Sequence, residues 1–171
     1  KFLKKIYSNS NKMSHIIDKL RLTLKLEEGK QELILVSCSM KKIIESCVSD
    51  LKDKYKNREI LIQGNDVTLK VDETLISMAI SNLIENVLKY SEDEIIVNIS
   101  NNSITVIDKG IGIEEKELEK INKKFYRVSD NGWNNSLGLG LFIVQSVLSL
   151  HNFSLQIHSE FKKGSQFSIN Y

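Results

Sequence analysis

The sequence contains no proline, so its turns and helix ends must be built from Gly, Asn, Asp and Ser. Cysteine is scarce. Cys38 and Cys47 show neither metal-ligand spacing nor the density of a secreted disulfide scaffold, and they suit a reducing, cytoplasmic setting. Cys47 falls on an apolar stripe, where a small core residue is expected. Long hydrophobic runs are also missing: none approaches the ~20 residues a membrane-spanning helix needs, and no secretory leader stands at the start. A net excess of either charge is nearly absent, with 24 Lys/Arg against 22 Asp/Glu giving +2 over 171 residues, so no nucleic-acid partner is expected. That balance hides an asymmetry. Lys1 to Lys30 holds eight Lys/Arg against three Asp/Glu, a net of +5 that leaves −3 for the remainder. The stretch reads as the solvated face of a charged helix rather than a patch for an anionic membrane. The chain opens on Lys rather than Met, so it is expected to be an excised part of a longer protein.

What is present is periodicity. Ile6, Met13 and Leu20 repeat every seven residues, Phe2, Asn9 and Ile16 form a second row, and Leu3, Ile17 and Leu24 widen the seam. This predicts one helix over Lys1–Leu26 that packs on another helix, with Gly29 as its left-handed cap. A strand is expected at Leu33–Val36. Ser39 then caps a helix with the stripe Met40, Ile43, Ile44, Cys47, Val48, Leu51 and Tyr55. Glu59–Gln63 and Val67–Val71 read as strands around an Asn65-Asp66 turn, and Asp72 caps a helix running to about Tyr90. Glu94–Ser100 and Ser103–Ile107 read as a hairpin, Lys116–Lys124 as a short charged helix, and Ser129–Ser136 as a mobile loop. A helix over Gly138–Leu150 and a hairpin of Phe153–Ser159 with Ser165–Asn170 complete the chain. The sum is an α/β two-layer sandwich, a mixed sheet of five to seven strands covered on one face by helices and preceded by one long helix.

Three ordered motifs carry the chemistry. On the helix after Asp72, Ile76, Ala79, Ile80, Leu83 and Val87 form the buried stripe, and Asn82, Glu85, Asn86 and Lys89 share the opposite side. An amide oxygen is a hard ligand that suits Mg²⁺, and a lysine one turn on offsets phosphate charge. A plain solvated face is the alternative. Asp108-Lys109-Gly110-Ile111-Gly112-Ile113 closes a strand, where a carboxylate can accept a hydrogen bond from an exocyclic amine and glycines admit close backbone approach. A tight turn is the alternative there. Gly138-Leu139-Gly140-Leu141 opens a helix whose first amides suit phosphate oxygens. A dinucleotide fingerprint is excluded, because Ile143 stands where its third glycine belongs, and no GxxxxGK[ST] loop occurs. Phe125-Tyr126-Arg127 lies between the last two motifs, with an arginine able to reach a γ-phosphate. Trp133 reads as a packing contact. His15, His151 and His158 have no nucleophile or metal constellation, and His151-Asn152 suits a helix end.

Taken together, NLIENVLKYS (Asn82–Ser91), DKGIGI (Asp108–Ile113), KFYRV (Lys124–Val128) and GLGL (Gly138–Leu141) resemble the N box, first glycine box, F box and second glycine box of bacterial sensor histidine kinases, in the GHKL ATPase superfamily. The first helix and its Leu-Glu-Glu-Gly ending are similar to the second helix of the dimerisation and phosphotransfer hairpin. The resemblance implies that residues 1–29 belong to that hairpin and 30–171 to a catalytic ATP-binding domain. It implies that Asn86 coordinates Mg²⁺ on ATP, that Asn82 and Lys89 contact or orient the phosphates, and that Tyr90 lines the pocket. Asp108 would bind the adenine amino group, with Gly110, Gly112 and Ile113 shaping the base pocket. Tyr126 and Arg127 would belong to the lid from about Glu114 to Leu137. Gly138, Leu139, Gly140 and Leu141 would hinge it and present amides to phosphate. The implied partners are a cognate phosphotransfer domain, a response regulator, and a second copy of the chain joined through the first helix. Membrane attachment would come only from segments outside this chain. Two departures stand out. Asn135, Ser136 and Leu137 replace glycines frequent before the second glycine box, and no acceptor histidine followed by an acidic residue occurs, since His15 precedes Ile16. ATP binding without autophosphorylation is therefore expected of the chain itself. A serine kinase or anti-sigma-type switch, and a non-catalytic nucleotide-sensing module, are the alternatives on the same fold.

Overall fold

The computed structural model describes residues 2–52, 54–128 and 137–171, with side chains of the first helix described at 6, 10, 13, 14 and from 16 onward. That helix, α1 (Phe2–Glu27), ends as its sequence predicts, with Gly29 at φ +62°. Strand β1 (Val36–Ser39) starts three residues later than the Leu33–Val36 expectation. The displacement has a local cause. The Ile34 N–H donates to Asp72 Oδ2 at 3.0 Å, and the ladder begins only where Val36 meets Val71 on β3 (Thr68–Val71).

Helix α2 (Met40–Lys52) buries Met40, Ile43, Ile44, Cys47 and Val48, and Ser39 Oγ accepts the Lys42 N–H as the capping reading requires. Strand β2 (Ile60–Gly64) does not pair with β3. The Asn65-Asp66 segment instead crosses between two sheets, with Asp66 accepting hydrogen bonds from Ser39 Oγ and the Lys41 N–H. Helix α3 (Glu73–Tyr90) is capped by Asp72, whose Oδ1 accepts the Leu75 N–H at 3.1 Å.

Strands β4 (Ile95–Ile99) and β5 (Ser103–Asp108) form the expected hairpin. Helix α4 (Glu115–Leu118) is shorter than the charged segment suggested, and α5 starts two residues late, over Gly140–Leu150. Strands β6 (Ser154–Glu160) and β7 (Gly164–Asn170) close the chain as a hairpin.

The strands form two sheets rather than one. β1 and β3 make a two-stranded ribbon. The main sheet runs β2-β4-β5-β7-β6, with β2 parallel to β4 and the remaining pairs antiparallel. On one face Ile95, Val97, Ile99, Ile104, Val106, Phe167 and Ile169 are buried, and they form the core with α2, α3 and α5. Along β4, Ile96 is partly exposed and Asn98 exposed on the other face, which no helix covers among the described residues. This is the α/β architecture the sequence implies, and it aligns α3 beside α5 above the end of β5.

Candidate functional site

The site is built where α3, the end of β5 and the start of α5 meet. Both ends of α3 are fixed from outside. At its start, His151 Nε2 accepts the Asp72 N–H at 3.0 Å, and His151 Nδ1 lies 2.7 Å from the Val147 carbonyl. His151 stands at the C-terminal end of α5, as its sequence position suggested, and clasps that helix to the start of α3, while Asn152 takes the left-handed position at φ +59°. At the other end the Arg58 guanidinium donates to the carbonyls of Leu88, Ser91 and Asp93, at 3.3, 2.5 and 2.8 Å. These carbonyls have no further turn of helix to satisfy them.

Along α3 the predicted apolar stripe is buried, but Asn82 is buried with it, at 5% exposure, rather than lying on an open polar face. Asn82 Nδ2 donates to the Met78 carbonyl at 2.8 Å, and its Oδ1 accepts from Lys19 Nζ at 3.1 Å. Glu85 is surrounded by cations: Lys89 at 3.7 Å, Lys19 at 4.0 Å, and Lys54 in a close hydrogen-bonded pair. Burial works to raise the Glu85 carboxyl, but the Lys54 hydrogen bond and the three ammonium charges outweigh it and hold the group below its ordinary range. Burial pushes the Lys89 ammonium down, Lys54 and Lys19 reinforce that direction, and Glu85 only partly opposes it.

Asn86 faces the start of α5. The position a Cβ would take on Gly140 lies 3.4 Å from both side-chain amide atoms of Asn86 and 3.6 Å from Asn82 Oδ1. No side chain caps that helix, and Leu139, 2% exposed, anchors it in the core, with Leu141 packed against the same cluster. Gly138 precedes the helix at φ +68°, so the second glycine box is a turn before it becomes a helix. The Phe125 N–H donates to the Gly138 carbonyl at 3.0 Å, which ties Phe125 and Tyr126 to this turn. The Tyr126 hydroxyl donates to the buried Glu117 of α4. Arg127 is half-buried and follows at the edge of the described residues. Ser129–Ser136 and Trp133 lie outside the described residues, as does the side chain of His15.

The other end of the site is formed at Asp108, 7% exposed at the end of β5. Burial raises its carboxyl, with the backbone N–H groups of Gly110 and Ser165 partly opposing, and the Gly110 N–H reaches Oδ1 at 2.7 Å. A Cβ on Gly110 would lie 2.3 Å from the Tyr90 carbonyl, a contact that excludes any side chain. The Ile111 N–H donates to that same carbonyl at 3.2 Å, so the DKGIGI loop rests on the end of α3. Gly112, at φ +63°, turns the chain under Glu160, and the Ile113 N–H donates to Ser159 Oγ at 2.8 Å. Ile111 itself is 59% exposed, so the acid is buried while the loop residue beside it is not. A recess of about 490 Å³ opens over this junction, with Lys89, Tyr90, Gly110 and Ile111 among its lining residues.

The structure therefore assembles two half-sites on α3: a cationic amide face against the N-terminus of α5, and a buried acid beneath a glycine loop. Among the described residues no cluster of three or more His, Cys, Asp or Glu side chains forms a metal site. Mg²⁺ would fit here only as an ion held by an amide oxygen such as that of Asn86, with phosphate and water completing its shell. Residues 71–171 match the family model described as "Histidine kinase-, DNA gyrase B-, and HSP90-like ATPase". The chain belongs to this ATPase family. Within it, the chain is 30% identical to the sensor-like histidine kinase SenX3 of Mycolicibacterium smegmatis, over 99% of this chain and 47% of that protein. It is also 30% identical to the phosphate regulon sensor protein PhoR of Pseudomonas aeruginosa, over 99% of this chain and 41% of that one. The chain thus spans under half the length of these curated relatives. The fold is shared with full-length ShkA in complex with AMPPNP, at a TM-score of 0.85 and 17% identity, over 98% of this chain and 37% of that one. It is shared as well with the mycobacterial sensor histidine kinase MprB, at 0.68 and 20%, over 80% and 95%. As a member of this ATPase family, the chain carries an ATP-binding domain.

Sequence reasoning missed three contributors, Lys19, Lys54 and Arg58. They reach the site from α1, from the segment after α2 and from the lead-in to β2. No spacing within α3 announces them, because their proximity is created by tertiary packing.

Proposed function

We propose that this chain is the nucleotide-binding and catalytic part of a sensor histidine kinase that binds Mg-ATP and, in the intact parent, donates the γ-phosphate to a histidine of a phosphotransfer domain for relay to a response regulator. The observation that carries the reading is the approach of Asn86 to within 3.4 Å of the position a Cβ would take on Gly140 at one end of the site, and of buried Asp108 to the Gly110 loop, one turn further along α3, at the other. Those two ends suit a ligand with a polyphosphate at one extremity and an amino-bearing base at the other. Asp108 would accept the adenine amino group. Tyr90, Gly110, Gly112 and Ile113 would frame the base. Asn82 and Lys89 would orient phosphates, and the amides of Gly138–Leu141 would face them. Bound Mg-ATP would supply the transferable phosphoryl group, with the metal held by Asn86 offsetting its charge. The protein's part is then positioning and electrostatics, with Arg127 and Tyr126 closing from the lid side. The AMPPNP in the ShkA complex supports a nucleotide role for this fold.

In this reading residues 1–29 belong to the dimerisation hairpin and 30–171 to the catalytic domain. Ile6, Met13, Ile17 and Leu24 of α1 are each at least half exposed, an apolar row free to meet a second copy. No helix among the described residues is long and apolar enough to cross a membrane, and we assign the chain to the cytoplasmic side of its parent. The test is to mix the chain with a phosphotransfer domain bearing its histidine and supply γ-labelled ATP. Acid-labile label on that domain is the expected result. ATP binding with no transfer would leave only the nucleotide-sensing module.

A further inference from the structure

Lys19 belongs to α1, yet its ammonium lies on the catalytic face of α3. Its Nζ is 3.1 Å from Asn82 Oδ1, and that oxygen is in turn 3.6 Å from the Cβ position of Gly140 at the start of α5. The placement is not a chance reach of a long side chain, because the stretch of α1 that follows it is fixed. Thr23 is 3% exposed, and Leu20, Leu22 and Leu26 pack against the core. At the end of the helix Glu27 pairs with Lys124, whose ammonium also sits 5.1 Å from the Phe142 ring centroid on α5. α1 therefore spans both walls of the phosphate end of the site.

Two chemical features give this lysine a role. Asn82 Oδ1 is a lone-pair acceptor, the wrong polarity for phosphate oxygens. Lys19 covers it and presents the remaining N–H donors of an ammonium in its place. The local charge is also unbalanced. Lys19, Lys54 and Lys89 surround a single carboxylate, Glu85, next to the uncapped N-terminus of α5. Such a cluster lacks an anion, and a polyphosphate supplies one. We infer that Lys19 is a further nucleotide-binding residue, delivered by α1, so that the docked helix and the bound triphosphate stabilise one another. The inference rests on the Mg-ATP reading above, and it makes the phosphate site complete only when α1 lies in this position.

The test uses the 171-residue chain and isothermal titration with Mg-ATP, with adenosine measured by competition. Lys19→Met is expected to weaken ATP binding about fivefold, the worth of one unit charge at contact distance in a well-solvated site. Adenosine, which has no phosphates, should bind as before, and Lys19→Arg should retain most of the ATP affinity. The Lys19→Met loss should shrink at high salt, because Lys19 is partly exposed. ATP affinity unchanged in Lys19→Met would overturn the inference. Tighter ATP binding would overturn it too, and would make Lys19 a plug instead. An equal loss for adenosine would reduce Lys19 to a structural contact. Failure of the unaltered chain to bind ATP at all would defeat the nucleotide reading itself, a result distinguishable from the others.

Discussion

Replacing Gly140 with alanine separates folding from ligand binding at the phosphate end of the site. The added methyl would sit 3.4 Å from the Asn86 amide nitrogen and oxygen and 3.6 Å from Asn82 Oδ1. At 3.4 Å the neighbours need to give at most a few tenths of an ångström, and Gly140 does not hold a positive φ. Alanine in a helix is favoured over glycine by ~0.5–1 kcal/mol, which offsets the crowding. The net stability change should stay within about 1 kcal/mol, a shift of at most ~2–4 °C in Tm for a chain of this size. Binding should respond differently, because the methyl occupies the space through which a phosphate would reach both the first amides of α5 and Asn86. Loss of one charge-assisted hydrogen bond there costs ~1.5–3 kcal/mol, or roughly 10- to 100-fold in Kd. A thermal melt and an ATP titration of Gly140→Ala measure both quantities. A variant that melts normally and binds ATP with unaltered affinity would refute placement of the phosphates between α3 and α5.

Two further outcomes follow from the geometry. Burial raises the Asp108 carboxyl, so its neutral form is favoured in the fold; its stabilising contribution is present at low pH and is lost as pH rises through the raised value. Adenine recognition needs the carboxylate, so affinity should fall on acidification already above the ordinary carboxylate range, while the apo fold gains stability from this group. Titrations across pH should show that opposition, and Asp108→Asn should remove the pH dependence along with most of the affinity. Arg58→Ala should lower stability by ~2 kcal/mol, from loss of charged-donor bonds to three main-chain carbonyls, or about 4–8 °C in Tm. A drop under ~1 °C would show that water replaces the guanidinium without penalty.

How much of this was legible beforehand depended on the range over which each signal acts. The helix stripes, the Asp72 and Ser39 caps and the two C-terminal hairpin strands are local patterns, and the structure follows them. Asp108 was legible as an acid at a strand end, and Gly110 as a point of close approach, while the burial of Asp108 came from the packing around it. The strand expected at Leu33–Val36 slipped because a side-chain acceptor on Asp72, thirty-eight positions away, claimed the Ile34 N–H. The pairing of β2 with β4 and not with β3 is likewise a choice between partners that alternation alone does not rank. Asn82 read as surface from helical spacing because nothing in α3 reveals that α1 and α5 cover it.

The central claim is that α3 carries a Mg-ATP site with Asn86 at its phosphate end. Titrating the chain with ATP, with and without Mg²⁺, and repeating this on Asn86→Ala tests it most directly. The account predicts saturable binding that depends on Mg²⁺ and is lost in Asn86→Ala, with the variant still folded by circular dichroism. Binding by Asn86→Ala at the affinity and Mg²⁺ dependence of the unaltered chain would contradict it.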